Sequence, residues 1–170
     1  IHPIDLIQYL VGPVSSVFGH VATFRHAIEI EDTATALFKF QNGAMGTITS
    51  TTSIKPAMKS RLELHGEKGT IVVNAQYDKF LVWDVQDYPA PEPVEPSFDF
   101  YDIDDPWAFP QTRHRVQLQD MVDAIREDRD PILSGEEARK SLAITMAIYE
   151  SSKQGKEVSL LAPEFTPPAF

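Results

Sequence analysis

A histidine and an aspartate three residues apart open the chain and are its first candidates for chemistry. His2 and Asp5 fall at the start of a predicted helix, where residues at i and i+3 share a face. Imidazole exchanges a proton near neutral pH, and a neighbouring carboxylate can orient the ring. The same spacing suits a structural arrangement in which Asp5 caps the helix start and His2 is a terminal residue. Spacing alone leaves both interpretations open and favours the structural one.

Two further groups of side chains have the chemistry for substrate binding. Arg113 and Arg115 flank His114, and a guanidinium pair can bind a carboxylate or phosphate, although most such pairs are solvated surface charges. Tyr101 and Trp107 lie in a long loop, where they can stack on a sugar face or form a lid. Aromatic residues in such loops more often anchor the loop to the core. These residues therefore stay candidates beside His2 and Asp5.

The first half of the chain has the pattern of one helix followed by strands. Apolar residues recur at helical spacing before Gly12, which is expected to end the opening helix in a left-handed conformation. From Val14 to about Val85 the segments are rich in β-branched and aromatic residues, and one strand is expected within Val17–Ile30. Tight turns are predicted at Asn42-Gly43 and at 66–69. Consecutive hairpins of this kind indicate a mainly antiparallel sheet of five or six strands.

The second half has the pattern of a long loop and two helices. Segment 86–113 is rich in proline and is predicted to be a loop. Two amphipathic helices follow, the second preceded by a capping-box pattern at 134–137. Residues 1–161 are therefore predicted to form one α+β domain, an open, predominantly antiparallel β-sheet with helices packed on one face, and 162–170 a tail. Neither sheet face is cleanly polar, so part of the open face is expected to be buried by another subunit or domain.

Composition excludes several classes of protein. The chain has 170 residues, no cysteine and a net charge of −10. A strongly acidic chain is repelled by nucleic acid and by anionic membranes. The absence of cysteine excludes disulfides and thiolate metal sites and fits a reducing, cytoplasmic compartment. No residues have metal-ligand spacing.

The chain resembles the C-terminal domain of the glucose–fructose oxidoreductase / inositol dehydrogenase / MocA-type (Gfo/Idh/MocA) family along nearly its whole length. Residues 1–12, IHPIDLIQYLVG, follow the family pattern G-x-H-x-x-D-x-x-x-x-L-x-G from the position after its first glycine. Further segments match the family in the expected order: Asn42-Gly43, Leu64–Gly69, Gln117–Ile125, Pro131, Ser134–Ala138, Ser141-Leu142, Ala147-Ile148 and Ser151. Each motif alone is weak, but the ordered set is fairly specific.

The resemblance implies an oxidoreductase that passes a hydride between NAD or NADP and a carbinol carbon of a sugar or polyol. In the family, an N-terminal Rossmann domain binds the nucleotide, and the C-terminal domain builds the substrate site and the oligomer contact. The resemblance assigns His2 as the acid/base or substrate-hydroxyl ligand, with Asp5 supporting it. It also implies that His114 faces the substrate cleft, although a surface position between two arginines is an equal alternative.

Parts of the family pattern are missing from these 170 residues. There is no Gly-x-Gly-x-x-Gly fingerprint, no Glu-Lys-Pro motif and no acid four residues before His2. The start without methionine suggests a fragment that lacks the Rossmann half and is inactive alone. The alternative is a non-catalytic ligand-binding or protein-interaction domain of the same fold.

Overall fold

The computed structural model describes residues 1–74, 79–92 and 111–161, with only the backbone given at 111–113. Tyr101, Trp107, most of the proline-rich loop and the tail lie outside these residues. The chain divides into two units, Ile1–Met58 with Gly135–Phe170, and Lys59–Ser134.

The element order confirms the predicted α+β class. It runs α1 (His2–Val11), β1 (Val14–Ala22), β2 (Thr33–Phe40), β3 (Met45–Thr51), β4 (Arg61–Gly66), β5 (Gly69–Asn74), β6 (Phe80–Val85), α2 (Gln111–Glu127), α3 (Gly135–Gln154) and β7 (Val158–Ser159). The strands form two open antiparallel sheets instead of the one expected. Segment 52–60, which separates β3 from β4, contains Pro56, whose missing N–H cannot join a ladder.

The first unit holds a four-stranded sheet in the order β3-β2-β1-β7. Residues on β2 alternate, so that Phe38 and Phe40 are buried while Leu37 and Lys39 are exposed, as the sequence predicts. Helix α3 packs on the buried face through Ile144, Ala147 and Ile148, and α1 contacts α3. The opposite face of this sheet carries Leu37 and Met45, which are 56% and 81% exposed.

Close approach of α3 to β1 requires a glycine at one position. A Cβ atom on Gly19 would lie 2.9 Å from Ile148 Cγ2 and 3.2 Å from the carbonyl oxygen of Thr35. Neither neighbour leaves room for a methyl group without a shift of the helix or the strand. The small residue therefore sets the spacing between helix and sheet.

The outer edge of β1 is closed mainly by side chains of α3. Strand β7 pairs only with Ser16 and Val17 of β1. Beyond that point, the N–H of Gly19 donates to Ser151 Oγ and the N–H of Val21 donates to Ser152 Oγ, both at 3.0 Å. Unpaired groups at a strand edge invite pairing with other chains, so these hydroxyls satisfy an edge that β7 leaves open.

The second unit contains a three-stranded sheet, β4-β5-β6, and helix α2. The helix confirms the predicted periodicity. Its apolar residues are nevertheless exposed, at 69% for Leu118, 45% for Met121, 41% for Val122 and 75% for Ile125, whereas Ala124 is buried.

Two local predictions were only partly right. The strand expected within Val17–Ile30 is β1, but it ends at Ala22, and residues 23–32 form a loop. Gly12 ends α1 with a φ of 114° and a ψ of −176°, a positive-φ conformation that differs from the expected left-handed helical one. The turn at Asn42-Gly43 is confirmed, with φ of 90° at Gly43.

Candidate functional site

The first turn of α1 presents His2 and Asp5 to solvent. Helix α1 begins at His2 with Pro3 in the first turn, where a missing N–H costs nothing. Ile4 is buried in the core, which directs the neighbouring face of the helix outward. The N-cap residue is Ile1 and makes no side-chain hydrogen bond, so Asp5 is not the cap. The capping interpretation of Asp5 is therefore wrong, and its carboxylate stays exposed near the positive end of the helix.

A tyrosine extends the same exposed stripe. Tyr9 follows Asp5 by four residues and is 80% exposed. The 2, 5, 9 spacing places an imidazole, a carboxylate and a phenol along one side of α1. Sequence reasoning did not select Tyr9, although the i, i+3, i+7 spacing from His2 would have found it.

The other end of α1 is tied to the β2–β3 turn. Asn42 Nδ2 donates to the carbonyl oxygen of Val11 at 2.8 Å, and Asn42 Oδ1 accepts the N–H of Ala44 at 3.0 Å. Beside it, the N–H of Gln41 donates to the carbonyl oxygen of Pro13 at 2.9 Å. Two hydrogen bonds thus connect the end of α1 to one hairpin turn.

Loop 23–32 is organised by a buried aspartate. Asp32 is 4% exposed, and its carboxylate accepts the backbone N–H groups of Phe24, Arg25 and His26 at 3.0, 2.8 and 3.1 Å. These bonds, with the one from Phe24 contributing most, hold the pKa of Asp32 well below its usual range, and desolvation opposes them only in part. Asp32 therefore folds the loop into a fixed shape and explains why no strand forms there.

A tyrosine on α3, Tyr149, forms a hydrogen bond with the same loop. Tyr149 Oη donates to the Glu31 carboxylate, whose two oxygens both lie at 2.8 Å. Burial first, and then this bond, raise the pKa of Tyr149 to about 12. The phenol therefore stays protonated, and stays a donor, throughout the neutral range.

The remaining predicted site residues lie in the second unit or outside the described residues. His114 and Arg115 are exposed on α2, which belongs to the second unit, and only the backbone of Arg113 is described. Tyr101 and Trp107 lie outside the described residues. Within residues 1–74, 79–92 and 114–161, no cluster of three or more histidine or acidic side chains can hold a metal ion. Among the described helices, none is long and apolar enough to span a membrane.

Comparison with known proteins finds similarity to one family of C-terminal domains. Residues 1–72 match the model of the GFO/IDH/MocA C-terminal domain. A D-apiose dehydrogenase from Paraburkholderia graminis is 24% identical over 173 residues, covering 99% of this chain and 45% of that protein. The chain thus spans about half the length of the curated relatives that it matches.

Solved structures are similar over nearly the whole chain. The WlbA dehydrogenase from Bordetella pertussis, solved with NADH and UDP-GlcNAcA, is 31% identical with a TM-score of 0.77, and the match covers 95% of this chain and 44% of that one. Levoglucosan dehydrogenase, solved with NADH and levoglucosan, shares the fold at 19% identity and a TM-score of 0.66, with 95% and 48% covered.

The chain is thus similar to part of several dehydrogenases, and its own first helix exposes His2 and Asp5. In its first 72 residues the chain is similar to the GFO/IDH/MocA C-terminal domain family.

The described residues do not form a dinucleotide site of their own. All described strand pairs are antiparallel, whereas a dinucleotide phosphate site uses a parallel strand, a glycine-rich turn and a helix. No described strand leads through such a turn into a helix. The described residues therefore lack the arrangement that holds a dinucleotide phosphate.

Proposed function

We propose that this chain is the substrate-side domain of an NAD(P)-dependent oxidoreductase that acts on a sugar, polyol or related hydroxy compound. The observation that carries the proposal is the match of residues 1–72 to the family model, in a segment where His2 and Asp5 lie exposed on one helix. The 31% identity to a dehydrogenase solved with NADH and a nucleotide sugar supports the same reaction class.

In this proposal His2 is the proton-transfer group. Its imidazole accepts the proton of the substrate hydroxyl when the carbinol is oxidised, and returns it in the reverse direction. Asp5, one turn further along the exposed stripe, orients the imidazole or the substrate hydroxyl. The nucleotide supplies the hydride acceptor and is held mainly by the rest of the longer protein.

Further binding residues are part of the proposal. His114 and Arg113 on α2, with Tyr101 and Trp107 from the proline-rich loop, are proposed to contact the substrate. The aromatic pair would stack on a sugar face, and the cationic group would bind an acidic substituent. A cytoplasmic location, predicted from the cysteine-free sequence, belongs to the same proposal.

The test is the turnover of the longer protein that contains this chain. His2→Ala should lower kcat by about 10²- to 10⁴-fold, the usual contribution of a general acid–base, and leave the Kd for the nucleotide nearly unchanged. Asp5→Asn should lower kcat less, because the imidazole remains.

His65→Ala is the matched control, since His65 is also exposed but lies on β4, where its ring bonds Glu63 and Thr70. It should retain turnover. Unaltered kcat in His2→Ala would remove His2 from the mechanism. Nucleotide binding without turnover on any polyol tested would favour the non-catalytic binding domain.

Self-association through the open face of the first sheet is the second part of the proposal. That face carries Leu37 and Met45, large apolar side chains that are more than half exposed. Lys39, on the same face, pairs with Glu157 at 3.0 Å, so charged and apolar groups adjoin there. A second copy of the chain would remove the apolar area from water.

A further inference from the structure

We infer that Asn42 is a positioning residue that fixes the placement of α1, and with it the placement of the His2 side chain. The inference rests on the proposed function for its catalytic consequence. Asn42 lies in the β2–β3 turn and contacts Val11, the last residue of α1. His2 and Asp5 lie at the opposite end of this helix.

The bond from Asn42 satisfies a group that the helix cannot satisfy itself. The last four carbonyl groups of any helix lack an intrahelical donor, and Val11 is the last residue of α1. Asn42 Nδ2 supplies the missing donor at 2.8 Å. The same side chain is fixed in turn by the N–H of Ala44, so the donor is held by the turn and does not move freely.

The other contacts of α1 are apolar packing against the core and against α3. Its N-cap makes no side-chain hydrogen bond, its last turn has no basic residue, and Ile4 is its only buried residue. Ile7 and Val11 pack only partly against the core. The bond from Asn42 to Val11, beside the bond from Gln41 to Pro13 just beyond the helix, adds a directional contact at the C-terminal end of α1.

A small change in the tilt of α1 at its C-terminal end displaces its N-terminal end, where His2 lies. A ten-residue helix is about 15 Å long, so a tilt of about 5° about its C-terminal end moves the opposite end by about 1 Å. A displacement of about 1 Å at a reacting group can lower a rate about 100-fold. Asn42 can therefore influence proton transfer without touching the substrate.

The test variant is Asn42→Asp. A carboxylate keeps the acceptor for the Ala44 N–H, and Asp-Gly supports the same hairpin turn, but the donor to Val11 is lost. Gln41→Ala is the matched control, because Gln41 is in the same turn and contributes its backbone N–H, which alanine retains. In the longer protein, Asn42→Asp should lower kcat by about 10- to 100-fold with an unchanged nucleotide Kd. Gln41→Ala should leave both unchanged.

A double-mutant cycle separates positioning from general damage. If Asn42 acts through His2, Asn42→Asp should lower kcat in the parent background and cause no further fall when His2 is already alanine. An equal fall in both backgrounds, or none in either, would overturn the inference.

A measurement independent of turnover keeps the two proposals distinct. In the same protein, Asn42→Asp should shift the NMR signals of the His2 ring and speed hydrogen exchange at the Gly12 amide, whereas Gln41→Ala should do neither. Unchanged ring signals and exchange would overturn the positioning role. Unaltered kcat in His2→Ala would overturn the proposed catalysis alone.

Discussion

Asp32 shows how one side chain can set the shape of a whole loop. Its buried carboxylate binds three consecutive backbone N–H groups, from Phe24 to His26. Asp32→Asn keeps the shape but removes the charge, and an amide nitrogen cannot accept these bonds. We expect the midpoint of thermal unfolding to fall by several degrees at pH 7, because the part-buried N–H groups lose a charged acceptor.

The pH dependence of that loss has a defined sign. Folding lowers the pKa of Asp32, so its stabilising contribution is complete above its unfolded pKa of about 3.9 and is lost as the pH falls through the lower folded value. Asp32→Asn should therefore approach the parent in stability as the pH falls below about 4.

Glu29→Gln is the control for Asp32→Asn, since it removes one charge from an exposed position in the same loop. It should leave both the midpoint and its pH dependence close to those of the parent. Equal effects of the two substitutions would mean that loop charge, and not the three N–H bonds, is responsible.

For single residues, the sequence allowed only relationships between near neighbours in the chain to be predicted. His2 and Asp5 stood out by their i, i+3 spacing, but the family resemblance, and not the spacing, assigned them to a site. The role of Asp32 depends on a loop folding back by six to eight residues, and an acid within Glu29–Asp32 looks like a solvated charge in the sequence. The same holds for Asn42, whose turn was predicted but whose bond to Val11 spans 31 residues.

Among the secondary-structure elements, the contact between α3 and the edge of β1 is the most open to test. Ser151 is fully buried, accepts the Gly19 N–H at 3.0 Å and donates to the carbonyl oxygen of Lys156 at 2.6 Å. Ser151→Ala removes the partner of the Gly19 N–H in a buried bond and of the Lys156 carbonyl in a part-buried one. We expect a loss of about 1–3 kcal/mol in the free energy of unfolding, measured by urea denaturation.

Ser152→Ala is the matched control on the next residue of α3. Ser152 accepts the Val21 N–H at the same 3.0 Å but is only partly buried, so water can replace it. Its loss should be smaller than that of Ser151→Ala. Equal losses would show that burial does not decide the cost at this edge.

The elements themselves were largely predictable, and the exceptions have physical causes. Turn residues at Asn42-Gly43 and the helical periodicity of α1, α2 and α3 are local signals, and all were confirmed. The strand predicted within Val17–Ile30 ended early because β-propensity does not register the competing bonds of Asp32. The division into two sheets falls at segment 52–60 and was not predicted, because hydrophobic periodicity does not show which strands pair with each other.

For the molecule as a whole, the alternation on β2 predicts a face that needs a partner. Phe38 and Phe40 are buried, at 1% and 5% exposure, while Leu37 on the opposite face is 56% exposed. If a second copy of the chain covers this face, Leu37→Asp places a charge in an apolar contact and should shift a dimer to monomer. Leu81→Asp on β6, where Leu81 is 59% exposed, makes the same change elsewhere and should leave association unaltered. Sedimentation equilibrium at micromolar concentration measures both, and a parent mass equal to one chain would refute association through this face.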